Sequence, residues 1–215
     1  MTDHQPVDPT ADNVGDPAVE TVAEGPLPDP ALASAVLEIE QHISSAGWDQ
    51  PARLYALVNT GDLVQAEPAL AAEMGLDESS AAGSFTPIEQ ELALDVPLES
   101  VLESIMWPEQ VTGCAAVVER LVLPPSVDGA IPDDASAAQA FAEDHPDRQE
   151  VRIVAGATRA GATYCALRLR AHDDDVSVVG GVDLVPALLE LLRGTLDVTD
   201  LVGQGDTEGD AEDRP

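Results

Sequence analysis

The sequence predicts a single α+β domain in which an antiparallel sheet is packed with helices. Three observations predict this class: a β-hairpin within residues 150–175, a long apolar strand at 111–123, and amphipathic helices at 30–47, 96–107 and 184–193. These elements do not follow the regular βαβ alternation that a doubly wound parallel sheet requires. The sheet is therefore expected to be antiparallel.

Composition divides the chain into a central domain at 30–197 and two tails. Residues 1–29 and 198–215 hold 13 of the 41 acidic residues. Chains of this kind bury too little apolar surface to offset the entropy cost of ordering them, so we predict two disordered acidic tails. The N-terminal segment has neither a basic start nor an apolar run, and it is not expected to be a signal peptide.

The hairpin is the most specific pattern in the chain. Its loop is Arg159-Ala160-Gly161, and glycine at the third position suits the left-handed conformation of three-residue hairpin loops. This loop length makes one face of the hairpin wholly apolar, with Val151 opposite Leu169. Further pairs on that face are Ile153 with Leu167 and Ala155 with Cys165. A two-residue loop would instead place arginines opposite apolar residues, and we reject it.

The first half of the domain begins at Asp29-Pro30, an N-cap followed by proline at the first helical position. Gly47 is expected to end this helix, whose polar side carries Glu38, Glu40 and Gln41. The next elements, in order, are a strand at 53–58, a helical stretch at 62–74 broken or begun again at Pro68, a loop at 77–83 and a short strand within 85–94.

The second half contains the central strand and the hairpin. A helix at 95–107 has Pro97 in its first turn and stops at Pro108. The elements that follow are the apolar strand at 111–123 in the middle of the sheet, a short helix at 136–143, the hairpin, an edge strand at 176–179, and a final helix capped by Asp183 and ending at Arg193-Gly194.

The charge of the chain excludes two classes of partner. There are 41 acidic and 9 basic residues, a net charge of −32, and all nine basic residues are arginine. Nucleic acids and anionic membranes are recognised through cations that neutralise phosphate, so neither is expected as a direct partner. The absence of lysine fits either a GC-rich genome, which we favour, or adaptation to salt.

An arginine cluster is the first candidate binding site. The hairpin register places Arg152 opposite Arg168, with Arg170 two residues along, on what is expected to be the outer face. Like charges directly opposed in a sheet are unfavourable unless an anionic group lies between them. Either carboxylates of the same chain mask the three arginines, the alternative we favour, or the arginines bind a phosphate, a carboxylate or an acidic partner.

The turn His172-Asp173-Asp174-Asp175 is the nearest approach to a metal site, with His172, Asp173 and Asp175 as candidate ligands. Adjacent residues rarely converge on one ion, and we favour a structural turn. Cys114 and Cys165 are expected to be buried thiols in a reducing cytoplasm; a disulfide between strands, or a cysteine nucleophile with a histidine base, are the alternatives.

Several short motifs of the sequence resemble those of a family of uncharacterised actinobacterial proteins. The matching motifs are Trp48–Pro51, Trp107-Pro108, Gly113–Ala115, Val118–Pro125, Val151-Arg152, Ala166–Arg170, His172–Asp175 and Leu184–Pro186. The resemblance covers residues 30–197. It implies a cytoplasmic actinobacterial protein and agrees with the GC-rich alternative, and it implies no particular activity.

Two functional hypotheses follow. The first is a non-catalytic protein-interaction or chaperone-like module with a protein partner and no cofactor, which the acidity and the lack of a catalytic motif favour. The second is a small-anion-binding or metal-dependent enzyme that uses the arginine face or the aspartate turn. Trp48 and Trp107, each followed closely by a proline, are expected to be packing anchors rather than ligand platforms. The sequence sets no oligomeric state.

Overall fold

The structure, a computed structural model, describes residues 27–77, 79, 81–93 and 96–197. The tails predicted to be disordered lie almost wholly outside these residues. The helices are α1 (Pro30–Ser44), α2 (Thr60–Ala66), α3 (Pro68–Glu73), α4 (Leu98–Ser104), α5 (Ala135–Asp144) and α6 (Pro186–Leu196). The strands are β1 (Arg53–Asn59), β2 (Phe85–Gln90), β3 (Val111–Val122), β4 (Gln149–Thr158), β5 (Thr163–Leu169) and β6 (Val179–Gly181).

The six strands form one antiparallel sheet in the order β2-β1-β3-β4-β5-β6. The apolar strand β3 lies inside the sheet, between β1 and β4, as predicted, and its residues 113–118 are all buried. The predicted α+β class with a single antiparallel sheet is confirmed.

Helices cover both faces of the sheet and create two cores. On one face α1 packs against alternate residues of β1, β3, β4 and β5, among them Leu57, Val117 and Val154. On the other face α4 and α6 pack against the intervening residues of the same strands, including Cys114 and Ile153. Side chains of a strand point alternately to the two faces, so near-continuous apolar strands follow from burial on both sides.

The start of α1 forms as its sequence predicts. The Asp29 carboxylate accepts the Leu32 N–H at 2.9 Å, and Pro30 occupies the first turn. Gly47 has φ +82°, the left-handed conformation expected after a helix end. Glu40, which the sequence places on the polar side, is instead 2% exposed, because it follows Val36 by four residues and shares the buried stripe.

The hairpin has the predicted register. Val151 pairs with Leu169, and Arg152 pairs with Arg168. Gly161 has φ +86°, which satisfies the left-handed position of the three-residue loop. The apolar face of the hairpin packs against α6, whose Leu189 and Leu192 belong to the same core.

The predicted helix at 95–107 is too long at its C-terminal end, because Ile105 is extended (φ −77°, ψ 139°) and α4 stops at Ser104. The extended segment carries Trp107 into the core, where its indole N–H donates to Thr195 Oγ1 at 3.0 Å. Burial of the indole therefore outweighs helix propensity at the last turn.

The final helix also differs from its prediction at both ends. It starts at Pro186 rather than after Asp183, because a residue before proline is disfavoured in the helical region, and Val185 has φ −138°. The helix passes through Gly194 and buries Thr195 and Leu196. A buried last turn explains why an internal glycine does not end it.

Arg159 of the hairpin loop fastens the end of α6 to the sheet. Its guanidinium donates to the carbonyl oxygens of Leu196, Val111 (2.8 Å), Trp107 (2.9 Å) and Pro108 (3.2 Å). It thereby satisfies a carbonyl at the C-terminus of α6 that the helix leaves without an internal partner.

The two edges of the sheet differ. On the β2 edge, the Thr60 N–H donates to the Ser84 carbonyl at 3.0 Å. Backbone groups of β2 alternate between pairing with β1 and facing the open edge, and from this bond the backbone nitrogen of residue 87 faces the open edge. Pro87 has no N–H to offer there, which blunts this edge against further pairing. The opposite edge, β6, is three residues long and is the predicted edge strand, displaced from 176–179 to 179–181.

Among the helices of the described residues, none combines the length and the apolar character that crossing a bilayer requires.

Two glycine substitutions should have opposite effects on the free energy of unfolding. A Cβ added at Gly194 or at Gly47 would meet no atom within 4 Å beyond its chain neighbours and the local helix backbone, so neither substitution clashes with the rest of the protein. Gly194→Ala should stabilise the protein by about 0.5–1 kcal/mol, because alanine is the better residue inside a helix. Gly47→Ala should destabilise it by about 1 kcal/mol, because φ is positive there. Urea titrations of both variants measure the difference, and a destabilising Gly194→Ala would contradict a helix that continues past this position.

Candidate functional site

The three arginines of the predicted cluster do not lie together on an open surface. Arg152 and Arg168 are 0% and 2% exposed, because α1 and the segment that follows it cover this face of the hairpin. The side chain of Arg170, just past the end of β5, is 39% exposed. The expectation that this is an outer face is wrong, and the reason is that α1 packs on it.

Arg168 is held by three carboxylates of its own chain. Its Nε and Nη2 donate to the two oxygens of Glu40, at 2.6 and 2.8 Å, in a bidentate pair that joins β5 to α1. Asp175 accepts at 2.8 Å, and Asp173 accepts at 3.4 Å. Hydrogen bonding to Glu40 is the main reason that the pKa of Arg168 is raised. Carboxylates of the same chain therefore neutralise the charge of this arginine.

Arg152 forms the second buried pair of this cluster. It donates from Nε (3.1 Å) and Nη2 (2.8 Å) to Glu119 Oε1, and Nη2 also donates to the Gly47 carbonyl. Its Nη1 is buried without a hydrogen-bond partner in the structure. The guanidinium lies 4.4 Å from the ring centroid of Trp48, a cation–π contact that compensates part of the lost hydration.

The loop after α1 links these groups into one network. Trp48 donates its indole N–H to Asp173 at 2.9 Å, and the Asp49 N–H donates to Glu119 at 2.8 Å. The Asp49 carboxylate binds Arg170 at 3.0 and 2.9 Å, and this hydrogen bonding lowers the pKa of Asp49. Asp49 has φ +64°, a conformation that these contacts hold in place. Trp48 is thus a packing anchor between two arginines.

The three candidate metal ligands do not face one common point. Asp173 and Asp175 face Arg168, and His172 lies exposed in a short 3₁₀ helix. In the described part of the chain, no three histidine, cysteine or carboxylate side chains are grouped so that they could hold a metal ion. The turn contributes carboxylates to the arginine network, and a metal role for these residues stays a prediction.

The two cysteines are buried and free, on the face of the sheet that α4 and α6 cover. Cys114 Sγ lies 3.5 Å from Thr195 Oγ1, which also accepts the Trp107 indole N–H. Burial raises the pKa of Cys114 to about 11 and raises that of Cys165 as well. Because the thiolate is the nucleophilic form, this environment suits structural thiols.

A concave surface that the sequence does not predict lies on the α4/α6 face, beside the N-terminal ends of these two helices. We call it the cross-sheet trough. Its apolar compartment, about 370 Å³, has Val118 and Ile153 as its floor. The wall of this compartment is formed by Val185, Pro186, Ala187, Leu188 and Leu191.

The second compartment of the trough continues toward β1 and β2 and has a volume of about 800 Å³. Its lining is mixed and includes Pro51, Ala52, Arg53, Glu89, Gln90, Glu91, Leu92, Ala93, Val96, Pro97 and Leu98. Glu99 and Arg120 line both compartments and form an ion pair of 2.6 Å between them. The two compartments therefore meet at this pair. Arg53 and Glu89 lie opposite Val117 and Tyr55 in the sheet, so strand alternation turns the side chains of both toward the α1 face.

The sequence does carry a signal for this surface. Arg120 interrupts the alternate residues of β3 that face α4 and α6, immediately after the buried Val118. A charged residue there means that the helix layer ends before the strand does. In the sequence, Arg120 is only a charged residue within an apolar strand. The sequence does not show which elements border the cavity beside it.

Fold and geometry define the class of this protein: an acidic α+β domain with helices on both faces of an antiparallel sheet, whose clustered arginines are bound by its own carboxylates. A family model described as PPA1309-like protein matches residues 32–197. The chain belongs to the PPA1309-like protein family, and the predicted family resemblance is confirmed. Comparisons with curated proteins and with solved structures gave no match.

Removal of the Arg168 side chain should strongly destabilise the protein. Arg168→Ala leaves the Glu40 carboxylate buried without its cation, and breaking a buried pair in this way costs about 3–5 kcal/mol. The matched control is Arg148→Ala, because Arg148 is exposed and forms no ion pair within the described residues. Chemical denaturation of both variants is the measurement. A loss below about 1 kcal/mol for Arg168→Ala, the range of an exposed pair, would show that α1 does not depend on this contact.

Both thiols should be unreactive in the native protein. At pH 8 a disulfide reagent such as DTNB should modify neither Cys114 nor Cys165, because both side chains are buried and burial raises both pKa values. In denaturant both should react at once. A cysteine that is modified rapidly under native conditions would contradict the assignment of structural thiols and revive the nucleophile alternative.

Proposed function

We propose that this protein is a non-catalytic interaction module that binds a protein partner in the cross-sheet trough. The observation that carries the proposal is the trough itself, whose smaller compartment is an apolar concavity beside the N-terminal ends of α4 and α6. Val118 and Ile153, which are 4% and 7% exposed, lie at its base, and Pro186, Ala187, Leu188 and Leu191 of α6 line its wall. Concave apolar surfaces rimmed by polar groups are the usual seats of ligands and partners.

The chemistry of the lining favours binding over catalysis. Among the described residues, the charged ones that line the trough are two arginines and three glutamates, of which Arg53 pairs with Glu89 and Arg120 pairs with Glu99. Neither histidine nor cysteine nor serine is among the lining residues. A general base with a matched pKa and a nucleophile beside it would be needed for acid–base or covalent chemistry.

A photo-crosslinking amino acid at position 187 should capture a partner that the same group at position 140 does not. Ala187 lies exposed in the wall of the apolar compartment, and Ala140 is an exposed alanine on α5 outside the lining. The full chain is irradiated in lysate of the native cells, and crosslinked peptides are identified by mass spectrometry. One or a few proteins crosslinked at position 187 would indicate an interaction module, and many unrelated proteins would indicate a chaperone-like one. Equal capture at both positions would refute the trough as the binding surface.

The second candidate, a small-anion or metal-dependent enzyme on the arginine face or the aspartate turn, is favoured by one observation, the buried and unpartnered Nη1 of Arg152. A ligand of the native state raises its stability, so a thermal-shift panel of phosphate, nucleotides and divalent ions distinguishes the two functions. The interaction module is expected to show no shift with any of these compounds. A shift that Arg170→Ala removes would establish the second candidate instead.

A further inference from the structure

We infer that the partner segment that the cross-sheet trough takes is a cationic one: a short stretch of chain that places an apolar side chain in the smaller compartment and a lysine or arginine beside Glu91 and Glu99. This inference rests on the proposed function and specifies the chemistry of the partner. It is carried by the shape of the trough, by the balance of charge along it, and by the exclusion of two other occupants.

The two compartments differ in chemistry. The smaller one is lined by aliphatic side chains of α6 and the sheet, and among its lining residues only Glu99 and Arg120 are charged. Beyond that pair the larger one carries Glu91, and it is bordered by Arg53 and Glu89, whose side chains form an ion pair on the α1 face. A segment that spans both compartments must therefore present an apolar group at one end and a polar group at the other.

The balance of charge selects the sign of that polar group. Arg53 is bound to Glu89 at 2.8 Å, and Arg120 to Glu99 at 2.6 Å, so each arginine of the lining already has a carboxylate. Glu91 is exposed and forms no ion pair within the described residues. The surplus charge of the lining is negative, and it lies in a chain whose net charge is −32. Such a field attracts cations and repels anions.

The same field argues against two other occupants. A second copy of the chain would bring another −32 to the surface. The segments 1–26 and 198–215 of this chain hold six acidic residues each and, together, a single arginine, Arg214. Both occupants would meet the glutamates of the trough with like charge, which costs free energy without a compensating cation.

The ion pair between the compartments does not prevent binding. The side chains of Arg120 and Glu99 are 46% and 49% exposed, and exposed pairs of this kind contribute little to stability. A segment that crosses the sheet can displace Arg120 toward solvent, or it can give Glu99 a second cation. In either case Glu99 stays ionised, because hydrogen bonding by its own backbone N–H lowers its pKa.

A random peptide library displayed on phage tests the inference without knowledge of the natural partner. The full chain is immobilised, and the library is selected at low and at high salt. The expected peptides combine an aliphatic or aromatic residue with lysine or arginine, contain few acidic residues, and lose enrichment at high salt. Enrichment of peptides without basic residues would overturn the inference, and so would a selection that enriches no peptide.

Synthetic copies of the enriched peptides then locate the site. The dissociation constant should rise at least about tenfold for Ala187→Arg, which places a cation over the apolar compartment, and about threefold for Glu91→Gln, the range of one exposed ion pair. Ala140→Arg, the same change outside the trough, should leave it unchanged. Binding that Ala187→Arg does not weaken would overturn the inference. Position-187 crosslinks to a partner whose crosslinked segment is acidic would also overturn it while leaving the proposed function intact.

Discussion

The contact on which the rest of the structure depends is the bidentate pair between Arg168 and Glu40. It is the only bond of its kind between α1 and the sheet among the described residues, and each of the two side chains is only 3% exposed. Without Glu40, the guanidinium of Arg168 would have to stay hydrated, and α1 could not pack over this face of the sheet. Once α1 is docked, Gly47 and Trp48 contact Arg152. Asp49, the next residue, then contacts Glu119 and Arg170. A cation in the core is tolerated because the chain places an anion on the facing helix.

Local pattern predicts the parts of this fold that local physics decides. The hairpin register follows from side-chain alternation and a three-residue loop, and α1 begins where Asp29 caps it. Three features depend on tertiary contacts and differ from their predictions. Trp107 leaves the helical path to reach Thr195, Leu196 draws α6 past Gly194, and Glu40 turns inward to Arg168. For Trp107 and Leu196, tertiary contacts outweigh a local helix preference of about 1 kcal/mol or less. For Glu40, the ion pair with Arg168 compensates the larger cost of removing a carboxylate from water.

The candidate site shows the same division. The sequence brings Arg152 and Arg168 together correctly, because pairing across a hairpin is local. It cannot reveal that α1, more than a hundred residues earlier, covers them. The trough is still less accessible to sequence analysis, because a concavity beside the N-terminal ends of α4 and α6 depends on where two helices begin over a sheet and on no single motif.

The environments of the two tryptophans have a spectroscopic consequence. Trp48 lies against two guanidinium groups on the α1 side of the sheet, whereas Trp107 is buried on the α6 side, next to the hydroxyl of Thr195 and near the thiol of Cys114. The chain contains no other indole. Replacing either one by phenylalanine leaves a single fluorophore that reports on one layer of helices alone. The emission of the two single-tryptophan proteins can therefore separate the docking of α1 from the docking of α6 during refolding, with no external label.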